Sequence, residues 1–235
     1  MTIKTAVIIF AYNEEQSIAK VINDIPKNIV DEVIVVNNNS TDKTVECAQN
    51  AGATVLNQTF QGYGAACLSG IDYCKEKDFD IIVFLDGDYS DYPEEIEQVI
   101  KPIIEEDYDF IVGSRVLGKR EKGALPFQSQ IGSIIAGILI NFFWKIKYTD
   151  LGPFRAIKFA KLLELDMQDK WYGWTVEMQI KAAQKKYKTK EVPVQYRKRI
   201  GKSKVTGTIK GTFMASVIIL KTIFTYAFRS GRKGE

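Results

Sequence analysis

The feature that most constrains the fold of this chain is an apolar run that ends in two carboxylates. Residues 81–85 read Ile-Ile-Val-Phe-Leu, and Asp86-Gly87-Asp88 follow them directly. A short run that is apolar throughout predicts a strand buried on both faces, as in a parallel sheet covered by helices. The two carboxylates would then lie at the carboxyl end of that strand, where open α/β sheets bind ligands.

Asp86 and Asp88 would repel each other unless a positive group lay between them. Hard cations such as Mg²⁺ and Mn²⁺ take oxygen ligands and commonly bridge carboxylates to phosphate oxygens. The pair is therefore a candidate metal site, and an ordinary acidic turn after a strand is the alternative.

The same kind of apolar run recurs along the first half of the chain, in alternation with helical segments. The pattern predicts strands at residues 4–10, 31–36, 54–56, 81–85 and 110–113. Helices are expected between these strands, one of them capped by Ser40 or Thr41. Such alternation predicts an α/β fold with a mostly parallel sheet. Beyond residue 113 we expect an apolar stretch at 131–144, a structured loop at 150–155, a helix ending near 186, a strand at 188–196 and an apolar helix at 207–228.

Composition excludes several kinds of chemistry. The 235 residues contain no histidine, which removes Ser-His-Asp and Cys-His catalysis and histidine zinc sites. The three cysteines are odd in number and match no metal-ligand spacing, so a reduced, cytosolic protein is expected. Met1 to Lys4 lead directly into a strand-like run, and we expect no signal peptide.

The net charge of +3 conceals an uneven distribution. Residues 184–235 hold 14 Lys and Arg against 2 Asp and Glu, whereas residues 1–183 hold 18 against 27. A basic segment on an acidic body suggests an anionic partner, which could be a phosphate, a nucleic acid or an anionic membrane.

Polar clusters follow three of the predicted strands. They are Tyr12-Asn13-Glu14, Asn37-Asn38-Asn39 and Asp86-Gly87-Asp88. In a parallel sheet these strand ends lie side by side, so the clusters can line one crevice, although each alone is also ordinary turn chemistry. Tyr12 could stack on a base, an Asn amide could read its edge, and the carboxylates could hold a metal and a diphosphate.

The segment Gln61-Gly62-Tyr63-Gly64 matches neither a P-loop nor a G-x-G-x-x-G fingerprint, which argues against a P-loop NTPase and a dinucleotide dehydrogenase.

Taken in order, these motifs resemble those of a known enzyme family. The set Ala-Tyr-Asn-Glu-Glu, Val-Asn-Asn-Asn-Ser-Thr-Asp, Gln-Gly-Tyr-Gly-Ala-Ala, Leu-Asp-Gly-Asp and Gly-Ser-Arg resembles family 2 glycosyltransferases with a GT-A fold. The later Asp-Leu-Gly-Pro-Phe-Arg, Tyr-Gly-Trp-Thr-Val-Glu-Met and Arg-Ile-Gly-Lys-Ser-Lys resemble the polyprenyl-phosphate branch, similar to dolichol-phosphate mannose synthase. The likeness spans residues 3 to about 210.

The resemblance implies a function and a set of site residues. It implies metal-dependent, inverting transfer of a hexose from a nucleotide sugar to a polyprenyl phosphate, with Mg²⁺ or Mn²⁺ at Asp86 and Asp88 and without a nucleic-acid partner. The donor would be bound by Ala11, Tyr12, Glu14, Asn37 or Asn38, Gly62, Asp86 and Gly87. The acceptor phosphate would be met by Arg115, Arg197, Arg199, Lys202, Ser203 and Lys204, and Glu177 is a further candidate catalytic residue.

Two departures from the family pattern bear on specificity. Asn37-Asn38-Asn39-Ser40 stands where the family usually has Asp-Asp-Gly-Ser, and asparagine suits uracil better than the paired donors of guanine, which favours UDP-sugars. Ser90 stands where the synthases often have a metal-binding glutamine, so we expect a weaker or more hydrated metal site.

The acceptor chemistry can be argued from charge. A hydroxyl acceptor needs a base, for which Glu177 and Asp150 are the candidates, and otherwise these two residues are structural or orient the substrate. A phosphate acceptor is already an anion and needs positive charge, which the basic loop at 197–204 could supply. A solvated basic surface loop is the alternative for this segment. A nucleotidyltransferase and a non-catalytic binding module are the alternatives from other classes.

The C-terminal region is predicted as an extension, residues 207–235, to a GT-A domain at 1–206. Phe213, Val217, Leu220, Phe224 and Phe228 form one helical stripe, in a segment shorter than a membrane span requires. The helix could lie in the interface of an anionic leaflet, at the cytoplasmic face of the membrane, or it could pack on the domain or on a second subunit. The apolar stretch at 131–144 carries the same alternatives, and a homo-oligomer or a membrane-protein partner is possible.

Overall fold

A computed structural model describes residues 3–201 and 209–231. These residues form seven strands, eight α-helices and one 3-10 helix, Pro93–Glu95, directly before α4. The strands are β1 (Thr5–Ala11), β2 (Glu32–Asn37), β3 (Thr54–Asn57), β4 (Ile81–Asp86), β5 (Phe110–Ser114), β6 (Arg155–Lys158) and β7 (Thr189–Pro193). The helices are α1 (Ile18–Asp24), α2 (Thr44–Asn50), α3 (Tyr63–Cys74), α4 (Ile96–Glu106), α5 (Phe127–Trp144), α6 (Phe159–Leu165), α7 (Trp174–Gln184) and α8 (Ile209–Gly231).

The strands form one sheet in the order β3-β2-β1-β4-β6-β5-β7. Every neighbouring pair is parallel except those that involve β6, which runs antiparallel to both β4 and β5. The predicted α/β class with a mostly parallel sheet is therefore confirmed. The antiparallel strand β6 and the helix α6 were not predicted.

Two apolar clusters cover the two faces of the sheet, and β4 contributes to both. Ile82 and Phe84 point into one cluster, and Ile81, Val83 and Leu85 point into the other. All five side chains are at most 1% exposed. The apolar run at 81–85 is therefore a strand buried on both faces, as predicted from its composition.

The register of the sheet aligns the three polar clusters. Ala11 at the end of β1 pairs with Asn37 at the end of β2, and Phe10 pairs with Asp86 at the end of β4. The segments that follow these strands consequently begin at one edge of the sheet.

One local prediction is wrong. Helix α2 begins at Thr44, and neither Ser40 nor Thr41 caps it. The Ser40 hydroxyl instead accepts a hydrogen bond from the Asn13 N–H at 2.9 Å, and the Asp42 carboxylate accepts one from the Thr44 N–H at 3.0 Å. Ser40 thus ties the end of β2 to the end of β1, because both segments turn at the same edge.

Helix α8 packs against α5 and α7 through one face. Ile223 on that face is fully buried in the core, whereas Phe213 and Phe228 are 67% and 71% exposed. Helix α5 also exposes large apolar side chains, among them Ile138 and Phe142. Within the described ranges, Phe127–Trp144 is one helix long and apolar enough to cross a membrane, by length and composition alone.

Candidate active site at the carboxyl edge of the sheet

A cavity of about 350 Å³ opens at the carboxyl edge of the sheet. Nine of the residues singled out from the sequence line it: Tyr12, Glu14, Asn38, Gly62, Asp86, Gly87, Asp88, Arg115 and Arg199. The three strand-end clusters therefore contribute to one crevice, together with basic residues that come from elsewhere in the chain.

Other predicted residues lie beside the cavity and not on its wall. Ala11 is fully buried, and its carbonyl accepts a hydrogen bond from the Asn38 N–H at 2.9 Å. The Asn37 amide donates to Asn57 Oδ1 at 2.9 Å, and Asn37 Oδ1 accepts from the Ser40 N–H at 3.0 Å. Of the two asparagines expected to meet the nucleoside, Asn38 lines the cavity. The Asn37 side chain instead forms hydrogen bonds with Asn57 and Ser40 at the edge of the sheet.

Asn38 also shapes the rim of the cavity. With its carboxamide oriented by its neighbours, it donates to the Phe60 carbonyl and accepts from the Gly62 N–H, both at 3.1 Å. It thereby holds the segment that leads into α3.

The two carboxylates differ in their surroundings. Asp86 Oδ1 has no hydrogen-bond partner within residues 3–201 and 209–231, and burial together with the charge of Asp88 raises the pKa of Asp86 to about 7. Asp88 is buried and held in place, because its Oδ1 accepts hydrogen bonds from the N–H and the hydroxyl of Ser90. Ser90, which stands where the synthases often have glutamine, here supports the second carboxylate.

The chemistry of these two side chains suits a divalent cation. The unpartnered oxygen of Asp86 offers a hard ligand, and Asp88 Oδ2 already attracts a cationic group, Arg199 Nη1, at 3.1 Å. Among the described residues no set of three or more Asp, Glu, Cys or His side chains is arranged to hold a metal. A cation at Asp86 and Asp88 would therefore complete its shell with diphosphate oxygens and water, as Mg²⁺ commonly does.

Arg199 bridges two of the strand-end clusters. Its guanidinium pairs with Glu14 Oε1 and with Asp88 Oδ2, each at 3.1 Å, and the adjacent Ile200 N–H donates to the Asp88 carbonyl at 2.9 Å. The first part of the basic loop is thus folded over the carboxylates.

The other predicted members of that loop are placed differently. Arg197 lies over the Tyr89 ring, with its guanidinium carbon 3.3 Å from the ring centroid, and donates to the Tyr89 carbonyl at 2.7 Å. Its guanidinium therefore holds the loop against the segment after β4. Lys202, Ser203 and Lys204 lie outside the described residues.

Arg115 is fixed in the cavity by a buried carboxylate. Its Nε and Nη2 donate to the two oxygens of Asp150, both at 2.7 Å, and its backbone N–H donates to Asp150 Oδ2 at 2.9 Å. The guanidinium also stacks on the Tyr196 ring, 5.0 Å from its centroid. Although burial alone would raise the pKa of Asp150, the ion pair with Arg115 holds this pKa below its ordinary value. Asp150 thus orients Arg115, since its side chain is fully buried and bidentately bound.

Glu177 does not line the cavity. It is 1% exposed in the first turn of α7, where it accepts hydrogen bonds from the N–H groups of Gln168 and Asp169 and from the Tyr226 hydroxyl. Lys181 pairs with it at 2.9 Å. The sequence analysis offered two roles for Glu177, a catalytic one and a structural or orienting one. These contacts correspond to the second.

Sequence reasoning missed part of the site. Trp171, Tyr172 and Tyr196 line the cavity, and Asp91, which is not part of its wall, is buried. Neither carboxylate oxygen of Asp91 has a hydrogen-bond partner in the described part of the chain, and burial with the nearby charge of Asp86 raises the pKa of Asp91 well above its usual range. The only sequence signal for Asp91 was its spacing of three residues from Asp88.

One wall of the cavity is built from two segments in backbone contact. The N–H groups of Gly64 and Ala65, at the start of α3, donate to the carbonyls of Trp171 and Lys170 at 3.2 and 3.0 Å. A Cβ atom on Gly64 would collide with the Asp169 carbonyl, and one on Gly62 would collide with the Lys170 carbonyl. Glycine is therefore required at both positions by the close approach of two backbones.

This approach predicts that Gly64→Ala lowers the free energy of unfolding by about 1–3 kcal/mol, because an added methyl group must displace backbone. Urea unfolding measures the loss. Gly132→Ala is the matched control, since a Cβ atom there meets nothing within 4 Å, and alanine in helix α5 should leave stability unchanged or raise it slightly. Equal stability of the two variants would contradict the close backbone approach between the start of α3 and residues 169–171.

Comparison with known proteins places this geometry in a family. The model for glycosyl transferase family 2 matches residues 6–165. A dolichyl-phosphate hexose transferase of Haloferax volcanii is 31% identical over 220 residues, which cover 91% of this chain and 92% of the relative. A UDP-N-acetylglucosamine–dolichyl-phosphate N-acetylglucosaminyltransferase of Methanococcus voltae is 27% identical over 210 residues, which cover 80% of this chain and 83% of the relative.

Solved structures share the fold. Glucosyl-3-phosphoglycerate synthase from Mycobacterium tuberculosis, in complex with Mn²⁺, UDP-glucose and phosphoglyceric acid, superimposes with a TM-score of 0.74 at 19% identity. The alignment covers 95% of this chain and 79% of that chain. At this identity the likeness concerns the fold alone, and it confirms the GT-A architecture expected from the sequence.

Proposed function

Because the chain belongs to glycosyl transferase family 2 and is a glycosyltransferase, we propose that it transfers a hexose from a nucleotide sugar to a polyprenyl phosphate with the help of a divalent metal ion. The observation that carries the proposal is that Asp86 and Asp88 share one cavity with Arg115 and Arg199. Carboxylates suit the metal that accompanies a diphosphate, and arginines suit phosphate oxygens.

Asp86 and Asp88 would hold Mg²⁺ or Mn²⁺, which when bound neutralises the charge that develops on the departing diphosphate. Tyr12 and Asn38, which line the same cavity, would meet the nucleoside. The asparagine in place of aspartate favours uracil, and the Methanococcus voltae relative is named for a UDP-sugar donor. We therefore propose UDP-linked hexoses as the donors.

The acceptor would be a phosphate monoester. One of its oxygens attacks the anomeric carbon, the bond from that carbon to the nucleoside diphosphate breaks, and the configuration inverts. The acceptor oxygen is already anionic, so no group has to take up a proton. Arg115, held rigidly by Asp150, and Arg199 would offset the repulsion between the two phosphate groups.

The positions of the two candidate bases support a phosphate acceptor over a hydroxyl acceptor. Asp150 is bidentately bound to Arg115, and Glu177 accepts hydrogen bonds outside the cavity wall. The names of the relatives from Haloferax volcanii and Methanococcus voltae both include dolichyl phosphate, which supports the same acceptor class.

The test is nucleoside diphosphate release by the purified chain with Mn²⁺ and a panel of UDP- and GDP-sugars, with and without a short polyprenyl phosphate. We expect release of UDP that requires the lipid phosphate. Release that is indifferent to the lipid would replace the phosphate acceptor by a hydroxyl acceptor. A parallel assay with UTP or GTP and a sugar 1-phosphate tests the nucleotidyltransferase alternative, which would release pyrophosphate from the nucleoside triphosphate.

We further propose that the chain acts peripherally at the cytoplasmic face of a membrane. Helices α5 and α8 pack together and both expose large apolar side chains, among them Ile138, Phe142 and Phe228. Helix α5 begins at the cavity, because Pro126 and Ser129 line it. A lipid tail leaving the cavity would therefore meet an apolar surface.

Flotation with anionic vesicles measures this contact. The double variant Ile138→Glu, Phe142→Glu is expected to lose most vesicle binding, since charged groups are costly in a bilayer. Ile104→Glu, on α4 and 45% exposed, is the control and should bind as the wild type does. Unchanged flotation of the double variant would contradict the membrane contact. If the wild-type chain forms a dimer without lipid and the double variant is a monomer, the exposed surface of α5 is instead a contact between two copies.

A further inference from the structure

The cavity wall that carries Trp171 and Tyr172 belongs to the segment at residues 166–173, which links α6 to α7. We propose that Tyr226 on α8 and Glu177 on α7 are positioning residues through which the last helix holds this wall in place for the nucleotide. The identity of the ligand rests on the proposed function, whereas the coupling itself rests on contacts within the chain.

Glu177 gathers donors from three parts of the chain. Its Oε2 accepts from the Asp169 N–H at 2.8 Å, and its Oε1 accepts from the Gln168 N–H at 3.1 Å and from the Tyr226 hydroxyl at 2.7 Å. Lys181, one turn further along α7, pairs with the same carboxylate at 2.9 Å. The carboxylate is thus shared between the wall segment, α7 and α8.

Helix α8 approaches the wall at a second point. A Cβ atom on Gly173 would lie 2.6 Å from Thr222 Oγ1 and would also collide with Asp169. Ile223, next to Thr222, is fully buried. The middle of α8 is therefore packed directly against the end of the wall segment, one helical turn before Tyr226.

The wall segment also contacts the first turn of α3, which lies beside the cavity. The carbonyls of Lys170 and Trp171 accept the hydrogen bonds of Ala65 and Gly64 at the start of α3. Gly62 and Tyr63, just before these donors, line the cavity. A shift of the wall segment would consequently move both the aromatic side chains and the first turn of α3.

Tyr226→Phe is the test, because it removes one hydroxyl and keeps the ring. Tyr73→Phe is the matched control: the Tyr73 hydroxyl also donates to a carboxylate, Glu32 Oε1, at the same distance of 2.7 Å, but Glu32 stands at the start of β2 and far from the cavity. Both residues are half-buried, and each substitution removes a hydroxyl that donates to a carboxylate at the same distance.

Two readouts separate coupling from general stability. Amide hydrogen exchange in the full chain should become faster at residues 168–171 and 64–65 in Tyr226→Phe and should stay unchanged there in Tyr73→Phe. UDP affinity with Mn²⁺, measured by calorimetry, should fall about five-fold or more in Tyr226→Phe alone, as for loss of one hydrogen bond to a charged group. The donor KM should rise by the same factor, with kcat little changed.

Unchanged exchange at 168–171 in Tyr226→Phe, or equal effects of the two variants, would overturn the proposal. If the wild-type chain binds neither UDP nor GDP, the proposed function fails, and the exchange comparison still decides whether α8 holds the wall.

Discussion

Asp88→Asn is expected to lower kcat/KM for sugar transfer by about a thousand-fold. The amide preserves the size of the side chain and can still accept the hydrogen bonds from Ser90, so the local structure should survive. What is lost is the negative charge that we propose holds the metal and, through it, the diphosphate. Metal ions and fixed charges at such positions contribute several kcal/mol to transition-state stabilisation, and about 1.4 kcal/mol corresponds to a factor of ten.

Nucleoside diphosphate release gives the rate, and Mn²⁺ electron paramagnetic resonance gives the affinity for the metal. Asp72→Asn is the control, because Asp72 is exposed on α3 and pairs only with Lys75 among the described ion pairs. A variant at Asp88 that retains wild-type activity within about three-fold would remove this residue from the proposed chemistry.

Arg155→Met is expected to cause the largest loss of stability, about 3–5 kcal/mol in the free energy of unfolding. Arg155 is fully buried, and its guanidinium donates to the carbonyls of Gly152 and Thr175. Within residues 3–201 and 209–231 no carboxylate forms an ion pair with it, so it satisfies backbone acceptors. Methionine has a similar volume but leaves these buried carbonyls unpaired.

Urea unfolding should show the loss, and the thermal midpoint should fall by roughly 10 °C, since 1 kcal/mol corresponds to about 2–4 °C in a chain of this size. Arg120→Met, at an exposed arginine, should change stability by less than about 0.5 kcal/mol. Lysine at position 155 keeps the charge but reaches fewer acceptors. The free energy of unfolding of Arg155→Lys should therefore lie between those of the wild type and Arg155→Met. Wild-type stability of Arg155→Met would show that the carbonyls find other partners.

Much of the cavity could be predicted because it lies at strand ends. Apolar runs locate β1, β2 and β4, and the parallel arrangement then brings the segments after Ala11, Asn37 and Asp86 to one edge. This reasoning needs only the periodicity of the chain and the direction of the strands. It does not decide which side chain turns toward the cavity, because strands buried on both faces show no polar alternation. Asn37 and Asn38 were therefore equivalent in the sequence, and the structure separates them.

Features that depend on long-range contacts could not be predicted. Strand β6 has only four residues and begins with an arginine, and the sequence predicted a loop at 150–155 and no strand directly after it. The charge is tolerated there because the guanidinium donates hydrogen bonds to the carbonyl of Gly152, three residues before it, and to the carbonyl of Thr175 in α7. In the same way, Glu177 and Asp150 were candidate bases by residue type, and only their partners, Tyr226 and Arg115, indicate what they support.

The placement of β6 has a consequence for the order in which the chain can fold. Phe84 of β4 pairs with Arg155 of β6, and β5 pairs with both β6 and β7. The middle of the sheet therefore cannot form until residues about seventy positions after β4 have been synthesised. Until β6 arrives, β4 presents an unpaired apolar edge, which is the kind of surface that joins other chains. Pairings this distant along the chain also slow folding. Fragments that end before residue 155 should therefore aggregate, even though they contain most of the residues that line the cavity.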